Sequence, residues 1–187
     1  MKKSAIAIIS ASFILLWSAC KKEEKIVDPP APDNEVITTV RLIAVNAADA
    51  TDVDTAQWRD LTPNDGNPDL SQANLKLKAG AVYNMSLTFL DETKNPAEDI
   101  TEEIHERSIY HLICYEPSSG LGITVQRTDY DDNTPKLELG LQAKATTTSA
   151  ASGTLQVSLH HQPSGKNGTD CAIGSTDAEV TFNVTVE

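Results

Sequence analysis

Two histidines, His111 and His161, are the side chains in this sequence best suited to chemistry. His161 continues the apolar alternation of residues 155–159, so it faces the apolar side of a predicted strand. His111 alternates with apolar residues in the same way, although the opposite face of its strand is apolar too. If both rings reach one rim of the fold, they could hold a transition metal together with a carboxylate such as Glu103 or Glu106.

Neutral imidazole and carboxylate groups are ligands of zinc, copper and non-haem iron, so the metal hypothesis names zinc or copper as the cofactor. No two candidate ligands have a diagnostic spacing. The sequence has no His-x-x-x-His, and the adjacent His160 and His161 point to opposite faces of a strand. The alternative is a hydrogen-bonded structural histidine, and the missing spacing favours that interpretation.

An acidic segment suggests a second, calcium-binding hypothesis. The oxygen-bearing side chains of Asp129, Asp131 and Asn133 stand at alternate positions, as they do at the start of a calcium-binding loop. The glycine at position six and the glutamate at position twelve of the helical calcium loop are missing. The pattern therefore favours a solvated acidic turn, with calcium as the alternative.

Alternation of apolar and polar residues predicts β-strands throughout residues 35–187. It is clearest in four stretches, 83–89, 137–141, 155–159 and 180–186. Eight or nine such strands predict a single all-β domain, an immunoglobulin-like antiparallel β-sandwich, with a β-barrel as the alternative. One short helix is expected near 96–106, because Asn95 can cap it and Pro96 suits its first turn.

The N-terminus predicts a bacterial lipoprotein. A basic start, the apolar run 5–16 and two small residues precede Cys20, so we expect residues 1–19 to be a signal peptide and Cys20 to be acylated. A transmembrane helix is the alternative, but the apolar run is shorter than the roughly 20 residues that cross a bilayer. Residues 20–34 are charged and proline-rich, which predicts a flexible tether.

The other two cysteines, Cys114 and Cys171, would then lie in an oxidising compartment. Two cysteines in such a compartment tend to pair, so the sequence predicts a disulfide between them. Two separate thiols are the alternative, because Cys114 lies in an apolar strand and could simply be buried.

Composition and motifs argue against two classes of function. The chain has 15 basic and 27 acidic residues, and loss of Lys2 and Lys3 with the signal leaves 13 against 27, a net charge of −14. Such a protein is repelled by nucleic acid and by anionic lipid headgroups. The sequence also lacks a Gly-x-Ser-x-Gly elbow and a glycine-rich phosphate loop, so we expect no enzymatic activity.

Four segments of the chain resemble a family of Bacteroidetes outer-envelope lipoproteins. They are EVITTV at 35–40, WRD at 58–60, NPAEDITEEI at 95–104 and LHHQP at 159–163. Members are often labelled "type 1 periplasmic binding fold superfamily protein", and the resemblance implies an envelope lipoprotein without defined ligand or catalytic residues. The label itself implies two lobes of alternating strands and helices. We keep the all-β prediction, because the strand periodicity contradicts such lobes.

Two short motifs match patterns of the same bacterial group. Lys22-Glu23-Glu24 resembles the export signal of its lipoproteins, which implies display on the outer face of the outer membrane rather than on the periplasmic face. The tripeptide 54–56 matches the group's O-glycosylation sequon, which implies a modified Thr55.

These observations predict a lipid-anchored outer-envelope protein that captures a ligand beside an outer-membrane transporter. One alternative is a transition-metal-binding lipoprotein that uses His111 and His161. The other is a structural or adhesive surface sandwich without a small ligand.

Overall fold

Strands dominate the part of the chain that this computed structural model describes, residues 35–62 and 66–187. The strands are β1 (Thr39–Asn46), β2 (Val53–Arg59), β3 (Asn74–Leu77), β4 (Val82–Asp91), β5 (Glu98–Asp99), β6 (His111–Pro117), β7 (Ile123–Arg127), β8 (Gln142–Thr147), β9 (Ala151–His161) and β10 (Ser175–Val186). Between β5 and β6 lie the helix α1 (Ile100–Glu106) and a 3-10 turn, Ser108–Tyr110.

The described strands form two sheets. The first has the order β2-β1-β4-β8-β7, with β5 attached to β4, and the second has the order β3-β10-β9-β6. Neither described sheet closes on itself, so the prediction of an all-β sandwich is confirmed and the barrel alternative is wrong. The pairing is not purely antiparallel as predicted, because β3 runs parallel to β10. The expected eight or nine strands become ten, two of them the short β3 and β5.

The core lies between the two sheets and is built from the apolar face of each strand. Phe89 of β4, Leu159 of β9 and Phe182 of β10 are almost completely buried. Complete burial of such a side chain contributes about 1.5–3 kcal/mol. The alternation seen in the sequence therefore marks the side of each strand that packs inward.

The predicted strand at 137–141 is wrong, although Leu139 and Leu141 are buried as the alternation predicts. Only an isolated bridge joins Glu138 to Tyr130 here. Gly140 has a φ of 104°, and a Cβ atom there would lie 2.8 Å from the carbonyl oxygen of Ile113. Only glycine tolerates this conformation and this approach, so the extended chain is interrupted before β8 begins.

The short helix is present, but its predicted cap is wrong. Asp99, not Asn95, caps α1, and its side chain accepts a hydrogen bond from the Thr101 amide at 2.9 Å. The chain before it is still extended, because Glu98 and Asp99 pair with the end of β4 as β5. The helix can therefore begin only at Ile100.

Several predictions concern residues outside the described part of the chain. The signal peptide 1–19, the acylated Cys20, the tether 20–34 and the export signal at 22–24 all belong to this group and stay predictions. Among the described residues, no helix has the length and apolar character needed to cross a bilayer.

Candidate metal centre

A cluster of polar side chains is buried where β6 begins and β9 ends. His111 is the first residue of β6 and lies directly opposite His161, the last residue of β9. Directly opposed residues of an antiparallel pair put their side chains on the same face of the sheet. The ring centroids of the two histidines are accordingly 5.2 Å apart. The structure thus brings together the two histidines selected from the sequence.

His111 is fully buried, and its ring makes no hydrogen bond of standard geometry among the described residues, although the backbone carbonyls of Arg107 and Ile104 lie near it. Burial, together with nearby His161 and Arg107, lowers the pKa of His111 to about 4, and the carbonyl groups of Arg107 and Ile104 oppose this only in part. The ring is therefore neutral at pH 7, which is the form that binds metals. Buried polar groups nearly always have partners, so this ring is an exception that needs a physical explanation.

Asp177 reaches the cluster through a β-bulge in β10. The register of β10 against β9 shifts between Thr176 and Ala178, which leaves Asp177 as the extra residue. A bulge of this kind breaks the alternation of a strand and re-aims a side chain. The Oδ2 atom of Asp177 is buried without a hydrogen-bond partner in the described structure. Burial raises the pKa of Asp177 and outweighs the lowering by the neighbouring His161.

Glu35 comes from the segment that precedes β1. Its side chain is only 7% exposed, and its Oε1 lies 3.5 Å from the Nη1 of Arg107. Burial raises the pKa of the Glu35 carboxyl, and the nearby carboxylates of Glu103 and Asp177 raise it further. Arg107 lowers the pKa of Glu35, but by less than these effects raise it.

Glu35, His111 and Asp177 together offer one ligand atom each, and these atoms all lie within 4.8 Å of one another. The ligand atoms of a tetrahedral zinc ion stand about 3.4 Å apart, since each bond is about 2.1 Å long. Small side-chain movements would therefore close the group around an ion. One imidazole and two carboxylates form a donor set suited to zinc and similar divalent metals. Burial is the main cause of the raised pKa of both carboxyls, and a cation bound beside them would lower it.

The predicted carboxylate ligands Glu103 and Glu106 are not part of this group, so that prediction is corrected. Glu103 instead pairs with Arg107 one helical turn later, at 3.0 Å. Glu106 is exposed and lines a groove of about 570 Å³ between α1 and the first sheet. The reason is helical geometry, since Ile100 and Ile104 occupy the buried face of the helix.

The calcium hypothesis at Asp129, Asp131 and Asn133 is also corrected. The fully buried Asp131 binds the ammonium group of Lys166 at 2.8 Å and accepts further hydrogen bonds from Asn133 and Leu137. Asp129 accepts a hydrogen bond from the Gly140 amide through its Oδ1. Protein donors and a lysine ammonium therefore already bind both oxygens of Asp131 and one oxygen of Asp129.

Cys114 of β6 and Cys171 are joined by a disulfide that spans 57 residues. It attaches the segment between β9 and β10 to the second sheet. On the chain-entropy account, closing a loop of this length stabilises the fold by about 4 kcal/mol.

His160 shows what a structural histidine looks like in this protein. Its side chain points to the opposite face of β9 from His161, and its Nε2 lies 2.8 Å from the Ser158 Oγ. The hydrogen-bonded alternative raised from the sequence thus describes His160, whereas His111 has no such partner in the described structure.

Thr55, the predicted glycosylation site, is exposed in the middle of β2. Its Cα is paired with that of Ile43 in β1, and β2 is an edge strand of the first sheet. The hydroxyl is therefore accessible, and its modification stays a prediction.

Sequence reasoning missed Glu35 and Asp177. Glu35 stands ahead of the first strand, where no periodicity assigns a direction to a side chain. Asp177 would face outward if the alternation of 180–186 continued toward the N-terminus of β10. The sequence did contain one signal of the bulge. Thr176 is polar, so the apolar residues at even positions of 178–186 do not continue toward the N-terminus.

Comparison with known proteins adds no relative. No family model matches the chain, and neither the curated proteins nor the solved structures contain a match. The resemblance to Bacteroidetes envelope lipoproteins therefore stays a prediction.

Proposed function

We propose that this domain binds a divalent transition-metal ion, with zinc as the first choice, through Glu35, His111 and Asp177. The observation that carries the proposal is the buried imidazole of His111. Within the described residues its ring nitrogens make no hydrogen bond of standard geometry, and one of them lies within 4.8 Å of an oxygen of each of two carboxylates. An unpaired buried imidazole is costly unless something binds it, and a metal ion would satisfy all three side chains at once.

The surroundings of His111 support this assignment. Metal-bound histidines usually donate their second ring N–H to a carboxylate or a backbone carbonyl. The carbonyl groups of Ile104 and Arg107 lie close enough to His111 to affect its pKa. One ring nitrogen can therefore face the carboxylates while a carbonyl orients the other.

The fourth position of a tetrahedral ion would be left to water or to His161. The His161 ring is next to His111 and half-buried, and Tyr110 contacts its edge at 6.3 Å between centroids. The proposal keeps His111 of the sequence hypothesis as a ligand, leaves His161 as a candidate for the fourth position, and replaces Glu103 and Glu106 by Glu35 and Asp177.

The predicted lipid anchor determines where in the cell the proposed metal site would act. Acylation at Cys20 would hold the domain in the bacterial envelope, where Lys22-Glu23-Glu24 favours the outer surface. The ligand expected for capture beside an outer-membrane transporter is, on this proposal, a metal ion.

The test is metal binding by the full chain, purified from membranes in detergent and stripped with a chelator. We expect isothermal titration to show one Zn²⁺ per chain. Zinc at a hundredfold excess over Kd should raise the Tm by about 5–10 °C, because such binding stabilises by about 2.7 kcal/mol. Glu35→Gln and Asp177→Asn keep the side-chain shape, and each should weaken binding at least about tenfold.

His105→Ala is the matched control, because His105 is an exposed histidine of α1 outside the proposed site. It should bind Zn²⁺ like the wild type. Absence of heat and of any Tm change with Zn²⁺ and Cu²⁺ in the wild-type protein would overturn the proposal. Equal losses in His105→Ala and Asp177→Asn would show nonspecific binding instead.

A further inference from the structure

Arg107 lies between two carboxylates at the edge of the candidate metal centre. Its Nη1 is 3.5 Å from the Oε1 of Glu35 and 3.0 Å from the Oε1 of Glu103. The Glu103 contact is the closer one and joins residues one helical turn apart. Arg107 therefore already has a second partner that takes no part in the metal-ligand group.

The charges of these side chains do not balance without an additional cation. Glu35, Asp177 and Glu103 carry three negative charges when ionised, whereas Arg107 supplies one positive charge. A divalent ion on Glu35 and Asp177 would leave Arg107 paired with Glu103, and both halves of the assembly would then be neutral. The Glu35 carboxylate in particular is largely buried, so its charge requires this kind of local compensation.

We infer that Arg107 is the resident counter-cation of the metal site, which partly neutralises Glu35 until a metal ion replaces it and leaves Arg107 to Glu103. The inference rests on the proposed function, since it describes how the same site controls its affinity. Arg107 acts through Glu35 and is a positioning residue. Arg107 competes with the metal ion for the Glu35 carboxylate. Its positive charge also repels the ion.

Variants on the two sides of this ion pair should move zinc affinity in opposite directions. A charge within about 4–6 Å shifts the pKa of a carboxyl by one to three units, so its removal changes cation affinity about tenfold or more. Arg107→Gln should therefore tighten Zn²⁺ binding about tenfold. Glu103→Gln should weaken it, because Arg107 then has only Glu35 as a partner. The double variant should bind like Arg107→Gln, because without Arg107 the state of Glu103 matters little.

The experiment is Zn²⁺ titration of the chelator-treated full chain for these three variants, with Arg107→Lys as the charge-preserving control. Arg107→Lys should stay within about threefold of the wild type, because it retains a positive charge beside Glu35. Arg59→Gln, which removes a half-buried arginine that pairs with Glu92 outside the proposed site, controls for overall charge and should leave affinity unchanged.

The possible outcomes separate the two proposals. Zinc binding by the wild type with weaker or unchanged binding in Arg107→Gln would overturn the role of Arg107 alone, and would make it a clamp that orients Glu35. Unchanged zinc affinity in Glu103→Gln would also overturn the role of Arg107. This second variant keeps the test decisive even if Arg107→Gln folds poorly. Absence of zinc binding in the wild type and every variant would overturn both proposals.

Discussion

At the scale of single residues, the metal-free site makes folding stability depend on pH. The pKa of His111 is about 4 in the folded protein because of its burial, against about 6.5 when unfolded. The unfolded chain therefore binds the proton more tightly, and stability is lost as pH falls from 6.5 toward 4. Between pH 7 and pH 5 the loss from His111 amounts to about 2 kcal/mol.

The two carboxyls act in the opposite sense. Burial raises the pKa values of Glu35 and Asp177, so the folded protein gains protons more readily than the unfolded chain as pH falls. Urea unfolding in the presence of chelator should show a net loss for the wild type between pH 7 and pH 5. His111→Gln, which lacks the histidine contribution, should show no loss or a gain. An equal loss of stability in the wild type and in His111→Gln would contradict the assignment of this pH dependence to protonation of His111.

The residues of the site differ in how far the sequence could locate them. His111 and His161 were accessible because each follows the two-residue period of its strand. Glu35 and Asp177 were not, because one precedes the first strand and the other stands in a bulge. Periodicity assigns directions only inside regular strands, and these two ligands come from outside them.

At the scale of elements, a buried ion pair fixes the 3-10 turn that leads into β6. The ammonium of Lys166 is 2.8 Å from both the Asp131 carboxylate and the carbonyl oxygen of Ser108. The Lys166 and Asp131 side chains are 3% and 0% exposed, respectively. The segment after β9 thereby holds the turn that immediately precedes His111.

Removal of one partner from this pair should be costly. Lys166→Met leaves the Asp131 charge buried without its cation, and we expect a loss of about 3–5 kcal/mol in the free energy of unfolding. Adding Asp131→Asn should recover a large part of that loss, because it removes the unpaired charge. Urea unfolding of the two single variants and the double variant measures the coupling.

The exposed pair of Lys136 and Asp132 supplies the control. Its side chains are 66% and 81% exposed and 3.9 Å apart. Lys136→Met should therefore change stability by no more than about 0.5 kcal/mol. Similar costs for Lys136→Met and Lys166→Met, or strict additivity in the Asp131 cycle, would contradict the role assigned to the buried pair.

The elements themselves were largely accessible from the sequence, except where the backbone leaves regular geometry. Alternation located β4, β9 and β10 because each has one face in the core. It failed at 137–141, where the positive φ of Gly140 interrupts a buried segment without changing its apolar pattern. A polar–apolar pattern reports burial, and it cannot report whether the backbone between buried residues stays extended.

At the scale of the whole molecule, acidity and metal capture are compatible. Without the predicted signal peptide the chain would carry a net charge of −14, and a surface this acidic would concentrate cations and repel anionic partners. This field is screened within about 8 Å at physiological ionic strength, so it contributes to encounter rather than to selectivity. On the proposed function, selectivity would come from the buried group of Glu35, His111 and Asp177.

The last prediction concerns the attachment of this molecule to the envelope. Cys20→Ser removes the thiol that acylation requires, and the full-length chain should then be lost from detergent-extracted membranes and fail to incorporate labelled palmitate. Each buried methylene contributes about 0.8 kcal/mol, so loss of the acyl chains removes the predicted anchor entirely. Cys171→Ser is the matched control, because it breaks the disulfide with Cys114 but leaves Cys20 in place, and it should remain in the membrane fraction. Equal membrane retention of Cys20→Ser and wild-type protein would favour the alternative of an uncleaved N-terminal transmembrane segment.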